Sequence, residues 1–230
     1  MGGRTALAIS AVSLFALVAS AGADPVTVSN AGFEDPVLPT EYTWTEDTPP
    51  GWTRIGGHTL GVWHVTDGDF DPVIAPEGHN VAYAVQIGVT GTASGLGQVL
   101  ARNFAANMSC TLTVEVGNSW DYYWPGYSVQ LLAGGIVIAE DYNEWWPEYK
   151  KWATSTVPYV YDPDDSGLIG QPLEIRLLNL GINTDGAPYP DFKYFAVEFD
   201  AVALDAVPEP ATMTMLALMG LGLCARRRKR

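Results

Sequence analysis

The sequence predicts an all-β sandwich, on three observations. Apolar and polar residues alternate with period two in short runs, 24 Gly and 16 Pro interrupt the chain at close intervals, and no long helical periodicity occurs between Asp24 and Val207. Period-two alternation puts successive side chains on opposite faces of half-buried antiparallel strands. Many short strands between turn signals are the pattern of two sheets packed face to face.

In chain order, residues 1–23 carry one charge, Arg4, then an apolar run Ala6–Val18 and the small residues Ala21-Gly22-Ala23. That is the layout of a secretory signal helix, cut before Asp24. Strands are expected at Val26–Val28, Val81–Ile87, Thr111–Val116, Tyr127–Leu132, Leu173–Leu178 and Phe195–Phe199. Ala133-Gly134-Gly135 reads as a hairpin turn, because glycine reaches the positive φ values such turns need. Gly91–Gly97 offers Ser94 among glycines but no nucleophile elbow, phosphate loop or dinucleotide fingerprint, and reads as a loop. After Pro208-Glu209-Pro210, the uncharged stretch Ala211–Ala225 ends in Arg226, Arg227, Arg228, Lys229 and Arg230. An apolar helix followed by basic residues reads as a transmembrane anchor with a cytoplasmic end. The expected organisation is a signal peptide over 1–23, one sandwich domain over 24–206 and a sorting segment over 207–230.

Residues 24 to about 209 hold all 26 acidic residues but only six of the 12 basic ones, a net charge of −20 against −14 for the whole chain. Such a surface repels nucleic acid and attracts divalent cations or basic partners. With Cys224 in the tail, Cys110 has no partner for a disulfide and is expected as a small buried hydrophobe in a strand.

The Pro208-Glu209-Pro210 triplet, the apolar stretch and the arginine cluster resemble the PEP-CTERM sorting signal of bacterial exported proteins. The resemblance implies recognition and removal of the tail by an exosortase, transient membrane anchorage, and delivery to the cell surface or extracellular matrix. The alternative is an ordinary anchor that is never cut.

A second resemblance spans the domain. Ser29-Asn30-Ala31-Gly32-Phe33-Glu34, Pro50-Gly51-Trp52, Gly97-Gln98 and Phe199-Asp200-Ala201-Val202-Ala203-Leu204 are similar to the galactose-binding-like jelly-roll superfamily, which includes many carbohydrate-binding modules. That likeness implies a jelly roll in which Glu34 and Asp200 hold a structural Ca2+; the alternative is that both face solvent at strand ends. It also implies adjacent first and last strands.

Aromatic residues crowd two stretches, Trp120, Tyr122, Tyr123, Trp124 and Tyr127 in one, Tyr142, Trp145, Trp146 and Tyr149 in the other. Flat rings beside Asp, Glu and Asn suit sugars, whose C–H faces stack on aromatics while their hydroxyls bond to polar groups. Core packing and a self-association patch are the alternatives. Trp145 and Trp146 are adjacent and cannot share one strand face, so one packs inward or the segment is a loop. Asp67-Gly68-Asp69-Phe70-Asp71 departs from the calcium-loop pattern at Pro72 and Gly78 and reads as an acidic surface turn. His58, His64 and His79 match no zinc spacing. A glycan-active hydrolase needs two carboxylates roughly 5–9.5 Å apart, and no pair stands out. These features lead to the expectation of an exported, non-enzymatic protein that binds extracellular polysaccharide through Trp120, Tyr122, Tyr123, Trp124, Trp145, Trp146 and Tyr149. The alternative role is a structural matrix protein.

Overall fold

A computed structural model describes residues 24–88, 91–119, 122–182 and 194–208. The strands are β1 (Asp24–Val26), β2 (Trp44–Thr45), β3 (Thr53–Ile55), β4 (Thr59–His64), β5 (Asn80–Ile87), β6 (Ser94–Asn103), β7 (Met108–Asn118), β8 (Tyr127–Ala133), β9 (Ile136–Tyr142), β10 (Lys151–Val160), β11 (Pro172–Asn179) and β12 (Tyr194–Pro208). One sheet runs β10-β7-β12-β5-β4-β2, with β1 also on β12; the other runs β3-β6-β11-β8-β9. All these pairings are antiparallel. The expected two-sheet all-β architecture is present. Both segments read as helices, the signal and the anchor, lie outside the described residues, among which no helix is long and apolar enough to cross a membrane.

The strands follow the alternation in the sequence. On β5, Ala82 and Ala84 enter the core between the sheets, and on β12 Val197 and Phe199 do the same. They meet Leu131, Ile175 and Leu177 from the other sheet, all fully buried. Removal of such side chains from water is the main favourable term in the fold. Gly134 and Gly135, at φ 57° and 82°, form the two-residue turn joining β8 to β9, with Ala133 opposite Ile136. Cys110 is buried and free as expected, and burial pushes its thiol up to about 11.

Two expectations need correction. Residues 94–97 are not loop but the start of β6. A Cβ on Gly95 would lie 1.9 Å from the Leu177 carbonyl oxygen, so glycine there admits a neighbouring strand. Asp69 is not on the surface either: it is buried, and its Oδ2 accepts hydrogen bonds from the N–H and hydroxyl of Thr66, both at 2.8 Å.

β1 pairs with β12, Asp24 opposite Ala206, so the first and last strands of the described residues are neighbours. β12 is irregular between Asp200 and Ala203, where Ala201 has φ 48° and Val202 N–H donates to the Ala31 carbonyl at 3.1 Å. This bulge brings Asp200 toward the loop that holds Glu34.

Candidate functional site

The residues of β4, β5 and β12 that do not enter the core build the opposite face of their sheet. One row across it is Gly117, Glu198, Tyr83 and Gly61, given by the pairings Glu198–Gly117, Glu198–Tyr83 and Gly61–Tyr83. Both glycines are required by close approach. At Gly61 a Cβ would lie 1.7 Å from the Thr45 carbonyl oxygen, and at Gly117 it would meet the rings of Trp152 and Phe70 at 2.8 and 2.9 Å. The phenol of Tyr83 donates to that same Thr45 carbonyl at 3.1 Å. β2 is thereby seated against β4, with Trp44 opposite Trp63.

A cleft of about 750 Å3 opens on this face. Tyr42, Trp44 and Glu46 stand on one side of it, and Tyr122 and Tyr194, in an edge-to-face contact at 6.2 Å, on another. Trp63, Tyr83 and Val85 contribute the wall from β4 and β5, and Glu198 the wall from β12. Six Tyr or Trp rings line it together with the polar side chains of Glu46, His58, Thr59, Gln86 and Glu198, and a concave site that combines aromatic walls with placed polar groups is the usual form of a small-molecule pocket.

Glu198 is the chemically distinctive member. Its side chain is fully buried and borders the cleft behind the aromatic residues that line it. Oε1 accepts from the Ser119 hydroxyl at 2.8 Å and Oε2 from the Ser119 N–H at 3.3 Å. No described Lys or Arg is ion-paired with it. Burial, opposed by the Ser119 bonds and reinforced by the charge of Asp69, pushes its carboxyl up to about 8. Burial thus favours its protonated form, a carboxylic acid beside aromatic walls. Burial first, and then the charge of Glu46, keeps Tyr83 protonated well above the ordinary phenol range.

The acidic residues named for calcium occupy a second location. Glu34 Oε1 accepts from the N–H groups of His79 and Asn80, both at 2.8 Å. Asp200, fully buried, accepts from Glu77 N–H at 2.8 Å and Ala201 N–H at 2.7 Å. Burial pushes Asp200 up to about 8, and the charges of Glu77 and Glu34 add to the shift. Asn80 Oδ1 is buried beside them without a hydrogen-bond partner. Carboxylate and carbonyl oxygens of this kind fit a hard cation. Among the described residues, as arranged, no group of three or more His, Cys, Asp or Glu forms a metal site.

The aromatic residues singled out in the sequence are divided. Tyr122 lines the cleft; Tyr123 is half-buried against Phe195; Trp124 is buried in the core, where it meets Tyr127 edge-to-face. Trp145, Trp146 and Tyr149 are each at least half exposed on the β9–β10 loop and are not among the cleft residues. The two stretches do touch, since Trp124 Nε1–H donates to Asn143 Oδ1 at 3.3 Å. Trp120 lies outside the described residues, as do Glu209, Pro210, Arg226, Arg227 and Arg228; the backbone of Pro208 ends β12. Sequence reasoning missed Tyr42, Trp44, Trp63, Tyr83, Tyr194 and Glu198. One signal was available for Glu198, a lone acid within the apolar run Phe195–Phe199.

A family model for the HpiC1 cyclase matches residues 24–205, and one for the PEP-CTERM protein-sorting motif matches residues 206–230. The chain belongs to the HpiC1-like cyclase family and carries the sorting motif of exported, exosortase-processed proteins of the cell envelope. It is similar to a Stig cyclase of Fischerella sp. TAU at 33% identity, covering 81% of this chain and 99% of that one with a TM-score of 0.71. An apo cyclase of Fischerella sp. is similar at 34% identity, with 82% and 98% covered and a TM-score of 0.70. A xylan-binding domain from Paenibacillus barcinonensis shares the fold at 16% identity, with 82% and 98% covered and a TM-score of 0.50. No curated protein matches the chain. The family match overturns the expectation of a non-enzymatic domain: carbohydrate-binding modules share the scaffold, whereas the whole domain matches cyclases.

Proposed function

We propose that the domain is an acid-assisted cyclase for an aromatic, indole-type substrate, acting in the cell envelope. The observation that carries this reading is Glu198, a carboxyl buried at the wall of an aromatic cleft, where burial favours its protonated form. Similar cyclases have been crystallised with two indole compounds, (3Z)-3-(1-methyl-2-pyrrolidinylidene)-3H-indole and 4-(1H-indol-3-yl)butan-2-one.

Glu198 donates its proton to a basic atom or double bond of the bound substrate. The resulting cation is attacked by the substrate's own π electrons, closing a ring, and a proton returns to the Glu198 carboxylate, so no proton is consumed overall. The Ser119 hydroxyl and N–H stabilise the carboxylate between the two transfers. The aromatic walls stabilise the cation through their negative ring faces. Exclusion of water from Glu198 protects that cation from capture. Replacement Glu198→Gln keeps the shape and removes the acid; we expect turnover of a panel of 3-alkylindoles to fall by about 10²- to 10⁴-fold with an unchanged circular dichroism spectrum. Retention of full turnover would refute the assignment.

Glu34 and Asp200 are the residues that would hold a structural Ca2+, with Glu77 adjacent. Its contribution would be to neutralise their charge and fix the bulge of β12. A second reading, polysaccharide binding, is favoured by the three exposed rings Trp145, Trp146 and Tyr149. A glycan array on which Trp145→Ala and Trp146→Ala lose a signal that Glu198→Gln keeps would support it; an array without binders would remove it.

A further inference from the structure

The outer part of the cleft has a composition that acid catalysis alone does not explain. Trp44 and Trp63 are cross-strand partners and so project on one face of the sheet. Trp44 is 65% exposed and Tyr42 63%, which places both at the mouth. Tyr42 has φ 62°, a left-handed conformation that costs a bulky residue energy and persists where surrounding structure enforces it. Its N–H donates to the His64 carbonyl at 3.3 Å. Glu46 stands beside these rings, and among the described residues its carboxylate makes no ion pair. The nearby guanidinium of Arg54 directs its N–H groups to the carbonyls of Glu46, His58 and Leu60. It fixes the backbone of the mouth; Arg54 does not itself line the cleft, although its charge reaches the Tyr83 phenol in the wall. No Lys or Arg occurs among the described residues lining the cleft.

We propose that the mouth of the cleft is a receptor for an organic cation, a protonated or quaternary amine borne by the substrate, held between the faces of Tyr42, Trp44 and Trp63 with Glu46 as counter-charge. Electron-rich ring faces attract a desolvated ammonium group, and a lone carboxylate at the rim draws cations toward it. The substrate class is thereby narrowed to amine-bearing compounds. This inference rests on the cleft being the substrate site, but not on Glu198 acting as an acid.

The test uses choline and 3,3-dimethylbutan-1-ol, which have the same shape and differ in charge, titrated into the full chain and read by tryptophan fluorescence and ligand-observed NMR. We expect choline to bind about tenfold more tightly or better. Trp44→Ala and Glu46→Gln should each erase most of that preference without lowering the melting temperature, and Trp145→Ala should leave it intact. Equal affinity for the two probes, no affinity for either, or a preference lost in Trp145→Ala but kept in Trp44→Ala overturns the proposal. Glu198→Gln separates the two readings. A variant that keeps the choline preference and loses turnover upholds both. A choline preference in a protein whose turnover is indifferent to Glu198→Gln upholds cation recognition and sinks the acid.

Discussion

Glu198 joins stability and chemistry in one side chain. Burial pushes its folded carboxyl up to about 8, whereas the unfolded one releases its proton near the ordinary carboxylate value of 4.5. The folded state thus binds more protons across that window, and its stability falls as pH rises through it. Asp200, raised from 3.8 to about 8, acts in the same direction. In chelator, the melting temperature should therefore decline between pH 4.5 and pH 8, and Glu198→Gln should flatten part of that decline; an identical slope in the variant would contradict the burial argument. If Glu198 is the acid, turnover should also fall as pH rises through about 8, when the proton to be donated is lost. The residue was visible in the sequence as an acid in an apolar run. Its burial was not, because Phe70 and Trp152 close over Gly117 from segments remote in the chain.

At the scale of elements, the cleft depends on where β2 lies. The expected effect of Gly61→Ala is displacement of β2 by the Thr45 carbonyl, at a cost of about 1–3 kcal/mol and with loss of small-molecule binding, measured by thermal melt and titration. Unaltered binding would mean that the two-residue strand does not shape the mouth. The long alternating strands were legible because one face of each meets the core, as Thr111–Val116 became part of β7 and Leu173–Leu178 part of β11. β6 was hidden by its own glycines, which signal a turn locally and close strand approach in the folded protein. The aromatic stretches were legible as important but not as one site: period and composition cannot separate the core Trp124 from the exposed Trp145 and Trp146.

On the scale of the whole domain, the sandwich carries 25 of the 26 acidic residues against six basic ones, and three of the carboxylates, Glu34, Glu77 and Asp200, lie near one another. Millimolar Ca2+ should raise the melting temperature and chelator should lower it, by calorimetry, with the difference abolished in Asp200→Asn; an unchanged midpoint would remove calcium from the account. The domain class was readable because patterning decides layers, and the sorting tail because its three parts are contiguous. Membership of a cyclase family was not, since the fold hosts binding modules as well and the cleft is assembled from residues scattered between Tyr42 and Glu198.

The position of β12 has a consequence for export. It is the last strand among the described residues, yet it lies inside its sheet between β7 and β5 and also accepts β1 on its later half. Until residues 194–208 have crossed the membrane, β5 and β7 have no shared neighbour and the core lacks Val197, Phe199 and Leu204. Closure must wait for the most distant pairing in the sequence, which is slow to find. The passenger thus stays an open thread until residues 194–208 arrive, and that stretch is the keystone on which both halves of its sheet close.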